Sequence, residues 1–521
     1  MNLLYGLRRS NRLFGDRIAI YDQGRAITYG EFHQRVTKAG QALRQLGVER
    51  GDRIAVLMLN SPRYLELYYA TALIGAVIVP LNIRWNLAEI AFVLNDSGCK
   101  LLAVDDRFAG MRTQLDGKVG TVSSYLFTGE GVCPAQMASY EQALGGAPGE
   151  GPPEAEPEEN DLVGLFYTSG TTGGPKGVML THKNLVANAF HATAGLHISE
   201  DWVWLHSAPM FHLADGAGIY AVTMAGAQHC FIPEFDAEAF LQAVERYRVT
   251  SVLLVPTMMN LVMNHPALDR YDTSSLRYVA YGAAPMPLAL LRKSMDRFGC
   301  QFLQGYGLTE TSPLLTVLPP EDHTFENSEA GFAPVKSAGR PVVGVEIRVV
   351  DDQDRDLPPG EAGEIIARGA NIMKGYWNRP EITAEVLRGG WFHTGDIGAL
   401  DKRGYLYIMD RKKDMIKTGG ENVHSPEVED VIYSHPYVLE AAVIAVPDDK
   451  WGEAIKAVVT PRAGAQLTER ELIDFCRRRL THFKCPTSVD FSASLPKGGT
   501  GKIQKNVLRE RYWKGLAKAV H

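Results

Sequence analysis

Short continuous apolar runs alternate along this chain with stretches whose apolar residues recur at helical spacing. Residues 53–58, Arg53-Ile54-Ala55-Val56-Leu57-Met58, have the composition of a strand buried on both faces. Residues 64–73 carry apolar side chains at helical spacing, and 77–81 are strand-like again. The same rhythm returns around 162–167, 251–263 and 276–281. Strand, helix and strand in succession predict an α/β fold of mostly parallel sheets covered by helices. From Gly344 the period changes. Val345, Ile347 and Val349 alternate with polar residues and 351–360 is turn-like, which predicts a small antiparallel sheet region running to Arg368.

A further change falls at Gly404-Tyr405-Leu406-Tyr407-Ile408-Met409-Asp410-Arg411-Lys412-Lys413-Asp414, where an alternating strand ends in a charged run. Beyond it, 441–446 and 454–459 are strand-like. Thr468-Glu469-Arg470-Glu471 has the form of a capping box, with Leu467 and Leu472 placed as a hydrophobic staple. The helix it opens is expected to carry Leu472, Ile473, Phe475, Cys476 and Leu480 on one broad face. These patterns predict a large N-terminal domain, 1–409, and a small C-terminal α/β domain, 410–521, with the boundary at Asp410. The Gly-, Pro- and Glu-rich segment 145–161 cannot pack a core and is expected to be an exposed loop.

Composition narrows the class. A chain of 521 residues can build several cores. A net charge of -6 gives no basic footprint for nucleic acid or an anionic membrane surface. The cysteines Cys99, Cys133, Cys230, Cys300, Cys476 and Cys485 form no Cys-x-x-Cys pair and have no zinc-ligand spacing, as expected in a reducing compartment. With no signal-peptide apolar core at the N-terminus, a cytoplasmic location is expected. The longest apolar run, 65–83, is interrupted by Glu66, Gly75 and Pro80, so it predicts a core helix leading into a strand and not a transmembrane segment. No repeat at solenoid periods occurs. Oligomeric state is left open, and a homo-oligomer is compatible with the chain.

Two Gly/Lys loops carry candidate chemistry. In Thr168-Ser169-Gly170-Thr171-Thr172-Gly173-Gly174-Pro175-Lys176-Gly177, glycines let backbone N–H groups turn toward an anion, hydroxyls add donors and Lys176 adds charge. This suits the terminal phosphates of a nucleotide. It is not a Walker loop, because Pro175 precedes the lysine and Gly177 follows it; a simple strand-to-helix turn is the competing interpretation. The second loop, Pro496-Lys497-Gly498-Gly499-Thr500-Gly501-Lys502-Ile503-Gln504-Lys505, fails the same pattern. Gln304-Gly305-Tyr306-Gly307-Leu308-Thr309-Glu310 follows an apolar strand, where open α/β sheets bind ligands. Asp396, after a tight turn, can accept two hydrogen bonds from a ribose diol, although an ordinary Gly-Asp turn would look the same. His212, a lone histidine among apolar residues, is on its own more simply structural.

The stretch YTSGTTGGPKGV resembles the signature loop of the acyl-adenylate-forming enzymes, which include acyl-CoA synthetases, peptide-synthetase adenylation domains and firefly luciferase. Further motifs follow in that family's order over nearly the whole chain. The resemblance implies an AMP-forming acid–thiol ligase that uses ATP, Mg²⁺ and coenzyme A with a small-molecule carboxylic acid. It assigns Tyr306 to the adenine face, Thr309 to phosphate, Glu310 to Mg²⁺, and Gly282 and Ala283 to the neighbourhood of adenine and acyl group. It gives Asp396 the ribose, with Arg411 as its helper, and makes His212 the gate of the acyl pocket. Gly419 and Gly420 would line the pantetheine tunnel, Trp451, Phe483 and Lys484 would meet coenzyme A, and Arg84 would reach nucleotide phosphates. Lys502 would be the working residue of the second loop, on a C-terminal domain made mobile between the two steps of the reaction by a hinge at Asp410, whereas Lys497 and Lys505 are expected to be solvated companions. The small apolar residues of 206–226, with Met258, Met259 and 281–285, suggest an apolar acid, and the resemblance, closest to bacterial fatty acyl-CoA ligases, implies a fatty one. Aryl acids of the benzoate or cinnamate type come second, and loading of a carrier protein is a further alternative.

Overall fold

Alternate residues of the strand Arg53–Leu57 enter different cores. Ile54 and Val56 pack with the helices Tyr29–Gln45 and Pro62–Leu73, whereas Ala55 and Leu57 pack with the helix Leu87–Ser97. A strand buried on both faces requires helices on both sides, and the sheet around it obeys that demand. The computed structural model describes residues 1–149, 156–168, 175–325, 332–498 and 502–513.

In the first large sheet the strands Arg53–Leu57, Val77–Pro80, Cys99–Val104, Ser124–Phe127, Ala138–Ser139 and Leu162–Thr168 run parallel. The antiparallel strands Lys176–Thr181 and Gly375–Tyr376 close one edge. In the second, Ile18–Asp22, Gln228–Phe231, Val203–His206, Ser251–Leu253, Tyr278–Gly282 and Gln301–Gly307 are parallel, with antiparallel strands at both edges. The helices Tyr29–Gln45, Pro62–Leu73 and His182–Gly195 fill the layer between the two sheets. Ala237–Tyr247, Pro256–Met263 and Leu288–Phe298 cover the outer face of the second. The predicted antiparallel region is present as Val345–Val350, Gly363–Gly369, Phe392–Leu400 and Leu406–Arg411.

The chain leaves that sheet after Arg411 and builds another, from Ile416–Thr418, Glu421–Val423, Val438–Asp448, Gly452–Pro461 and Ser488–Phe491. Val428, Ile432, Val443, Ile455 and Leu472 form a core that draws only on this last part of the chain. The Thr468 capping box is formed, but its helix ends at Arg477, so Leu480 packs from beyond the helix and not from its face. Asp410 lies inside the strand Leu406–Arg411, paired with Ile397. Its carboxylate accepts hydrogen bonds from Ser425 N at 2.7 Å and Ser425 Oγ at 3.0 Å. That places a negative charge at the N-terminus of the helix Ser425–Tyr433, where the helix dipole favours it. No described helix is long and apolar enough to cross a membrane.

The first Gly/Lys loop joins two antiparallel strands, with Thr168 opposite Lys176, and not a strand and a helix. Ser169, Gly170, Thr171 and Thr172 lie outside the described residues, as does 150–155 of the Glu-rich segment. The base of the loop is fixed by Asp96, in the last turn of Leu87–Ser97. Asp96 Oδ2 accepts from Tyr167 Oη at 2.7 Å, Oδ1 accepts from Arg379 Nη2 at 3.1 Å, and its carbonyl accepts from Trp377 Nε1 at 2.9 Å. One residue thus holds a helix, the strand before the loop and the segment that packs behind it. Asp96→Ala leaves a phenol and a guanidinium without their acceptor, and should cost about 1–3 kcal/mol, with Asp96→Asn costing less. Urea unfolding measures this; an Asp96→Ala midpoint equal to that of the parent chain would remove the anchor.

Candidate active site

The parallel strands end on one rim. Gly282 closes the strand Tyr278–Gly282, and a Cβ there would stand 2.2 Å from the Gly305 carbonyl oxygen of the neighbouring strand. The glycine is therefore required by strand packing before any ligand is considered. Ala283 then turns in the left-handed region, φ +63°. On the next strand, the Tyr306 phenol donates to Asp396 Oδ2 at 2.8 Å. Burial and the Asp396 charge push its ionisation well up, so it remains a donor.

Asp396 is buried and comes from the antiparallel sheet, opposite Arg411 on the adjacent strand. Arg411 Nε lies 3.4 Å from Asp396 Oδ1. Both carboxylate oxygens therefore have protein partners, and a ribose would share their remaining lone pairs. Lys502, half-buried, is in the field of the same pair. Burial and then the Arg411 charge push its ammonium down to about 8, against the opposing pull of Asp396 and Asp414. Lys413 is likewise lowered to about 8 by burial and Arg411.

Thr309 and Glu310 sit in a single tight turn, Thr309–Thr311, just past the strand end. Glu310 Oε1 accepts from Tyr376 Oη at 2.8 Å, and Lys176 Nζ lies 5.6 Å from the centroid of the Tyr376 ring. His212 precedes the short helix Leu213–Ala217 and packs on Phe211. Its buried Nε2 has no partner among the described residues. Burial, reinforced by Arg84, lowers its pKa to about 4, so the ring is neutral near pH 7. Arg84 Nη1 donates to the Gly498 carbonyl at 3.0 Å. This joins the second Gly/Lys loop to the large sheets.

Gly419 and Gly420 form an exposed two-residue hairpin turn with φ +59° and +87°. A Cβ on Gly419 would meet the Trp451 ring at 2.7 Å. Trp451 and Phe483 are partly exposed, and Lys484 Nζ pairs with both oxygens of Glu427 at 2.8 Å. The expectation of solvated companions for Lys502 is corrected. Lys497 pairs with Glu440 at 2.5 Å, and Lys505 pairs with Glu429 and donates to Ser425 Oγ, both at 2.7 Å. They are ion-paired anchors, because the acceptors are themselves largely buried and need a cation.

Sequence reasoning missed Tyr376, Asp96 and Lys413. Tyr376 had a signal of the same kind as Tyr306, an aromatic residue directly after a glycine. Asp96 had none, since its partners lie far away along the chain. Among the described residues no group of three or more His, Cys, Asp or Glu could hold a metal ion. A single carboxylate, Glu310, suits a cation that is held mostly by phosphate oxygens, as Mg²⁺ commonly is.

The family model described as AMP-binding enzyme matches residues 7–377, and that described as AMP-binding enzyme C-terminal domain matches 427–502. The chain is 40% identical to a feruloyl-CoA synthase from Amycolatopsis sp over 97% of its length and 98% of that protein. It is 36% identical to the long-chain-fatty-acid–CoA ligase FadD13 of Mycobacterium tuberculosis, over 93% of each. The crystal structure of ATP-bound MatB from Rhodopseudomonas palustris superposes with a TM-score of 0.87 at 32% identity, covering 100% of each chain. The chain belongs to the AMP-binding enzyme family, in its acyl-CoA synthetase branch. It is an AMP-forming acid–thiol ligase, acting on an acid with ATP and coenzyme A through an acyl-AMP.

A lysine lowered to about 8 is charged below that pH and neutral above it. If its charge is used, kcat/KM for acid-dependent pyrophosphate release falls as pH rises through about 8, the profile of the free enzyme. Lys502→Arg should flatten that limb and Lys413→Met should leave it. A limb that persists in Lys502→Arg assigns the titration to another group.

Proposed function

We propose that the enzyme activates an apolar monocarboxylic acid in two half-reactions served by different faces of its C-terminal part, with the hinge at Asp410. In the first, a carboxylate oxygen attacks the α-phosphorus of ATP and pyrophosphate leaves. In the second, the thiol of coenzyme A attacks the carbonyl carbon and AMP leaves. The observation that carries the proposal is the position of Lys502: it comes from the second Gly/Lys loop yet lies in the field of Asp396 and Arg411, while Gly419 and Gly420 are exposed.

An anion approaching a polyanion needs compensating positive charge. Lys502 would supply it at the α-phosphate and acid, and Lys176 and Arg84 at the phosphates. Glu310 and Thr309 would orient the metal–nucleotide complex, and Mg²⁺ would supply charge neutralisation at the phosphate oxygens when bound. Tyr306 and Asp396 would hold adenine and ribose. The neutral, unpartnered His212 Nε2 would face the acid carboxylate across the mouth of the acyl pocket. For the second step the Lys502 loop would withdraw, and Gly419–Gly420, with Trp451, Phe483 and Lys484, would receive the pantetheine arm.

The small apolar character of residues 206–226 supports an apolar acid. A fatty acid has the support of the likeness to FadD13, and an aryl-propenoic acid that of the likeness to a feruloyl-CoA synthase. Pyrophosphate release over a panel of straight-chain and cinnamate-type acids decides between them. Preference for short dicarboxylic acids would overturn the apolar assignment.

Lys502→Ala should slow acid-dependent pyrophosphate release by about 10²–10³ or more. It should still convert supplied acyl-AMP and coenzyme A to the thioester at near the parent rate. Equal loss of both half-reactions in a folded variant would refute the split role.

A further inference from the structure

Tyr376 stands between the two groups expected to handle the triphosphate. It occupies the two-residue strand Gly375–Tyr376 at the edge of the first large sheet, opposite Val178, two residues beyond Lys176. The segment around it is laced on both sides. Met373 N donates to the Glu310 carbonyl at 2.8 Å, while Lys374 N and Trp377 N donate to Met179 O at 3.0 Å and Gly177 O at 2.8 Å. The Tyr376 side chain repeats that bridge. Its hydroxyl donates to Glu310 Oε1 at 2.8 Å, and its ring lies 5.6 Å from Lys176 Nζ. Its own N–H donates to Thr383 Oγ1 at 2.9 Å, and the residue is buried.

We propose that Tyr376 is a positioning residue that sets Glu310 and Lys176 together, coupling the cation side of the nucleotide site to its phosphate side. The hydroxyl occupies one of the roughly four acceptor positions of a carboxylate. It fixes the Glu310 rotamer and leaves capacity for a cation. The ring face attracts the Lys176 ammonium. The inference rests on the nucleotide site proposed above, and it goes further by naming a residue to which the two half-reactions gave no role.

Two variants separate the functions of the side chain. Tyr376→Phe keeps the ring and loses the hydroxyl; Tyr376→Leu loses both. ATP is titrated calorimetrically into the full-length protein without acid or coenzyme A, once without metal and once with saturating Mg²⁺. The parent should bind ATP more tightly with Mg²⁺. Tyr376→Phe should reduce that Mg²⁺-linked gain by about 3- to 10-fold, the scale of the net contribution of one typical hydrogen bond, and leave metal-free affinity within about twofold. Tyr376→Leu should in addition weaken metal-free binding by about 2- to 5-fold. A Tyr376→Phe protein with the parent's Mg²⁺-linked gain, or one weakened equally with and without Mg²⁺, overturns the coupling. If Tyr376→Leu fails to fold, the Phe comparison decides alone. A parent that binds no ATP at all would instead overturn the nucleotide site itself.

Discussion

The Asp396 carboxylate is the point on which the site depends. It is buried, so its charge must be met. The groups that meet it come from separate parts of the structure: the Tyr306 hydroxyl from a parallel strand end, the Arg411 guanidinium from the last strand of the antiparallel sheet, and the field of Lys502 from the C-terminal loop. Arg411 and Lys502 repel one another, which is part of why Lys502 holds its proton weakly. An incoming polyphosphate would relieve that repulsion and favour the charged lysine. The cluster thus carries an electrostatic preference for an anion.

The same economy governs Asp410, one residue before Arg411. Neighbouring residues of a strand point to opposite faces. Arg411 faces Asp396, while Asp410 faces the N-terminus of the helix Ser425–Tyr433. One dipeptide therefore ties the Asp396 cluster to the start of the C-terminal core. From Ser425 the ties continue through Lys505 to Glu429, so the base of the Lys502 loop is anchored within the C-terminal part itself.

The layered α/β architecture was legible because strands buried on both faces are continuous apolar runs, and the change of period after Gly344 marked the antiparallel region. Motif residues were legible where short spacing carries the chemistry, as in the loops around Lys176 and Lys502 and in Thr309-Glu310. What stayed hidden depends on long-range pairing. Nothing local to Asp96 announces that it anchors Tyr167 and Arg379. Nothing local to Lys497 announces Glu440, or to Lys505 announces Glu429, so two lysines expected in solvent are in fact paired. The glycine at 282 was visible, but the neighbouring Gly305 carbonyl that leaves no room for a Cβ there was not.

Two Gly/Lys loops in one chain are explained by how differently each is attached. Lys176 opens a strand that is hydrogen-bonded on both sides within the large sheet, so it cannot leave without breaking the sheet. The C-terminal part meets the rest of the chain through polar contacts such as Arg84 Nη1 to Gly498 O, Asn260 Nδ2 to Leu439 O and Arg462 Nη1 to Asn264 Oδ1. Contacts of that kind are worth about 0.5–1.5 kcal/mol each, because water replaces them when they part. The apolar core of the C-terminal part is its own and would move with it. A cation needed throughout belongs on the sheet, and a cation needed for one step belongs on a part whose attachments water can replace. In the two-step reaction proposed above, Lys176 and Lys502 divide along that line.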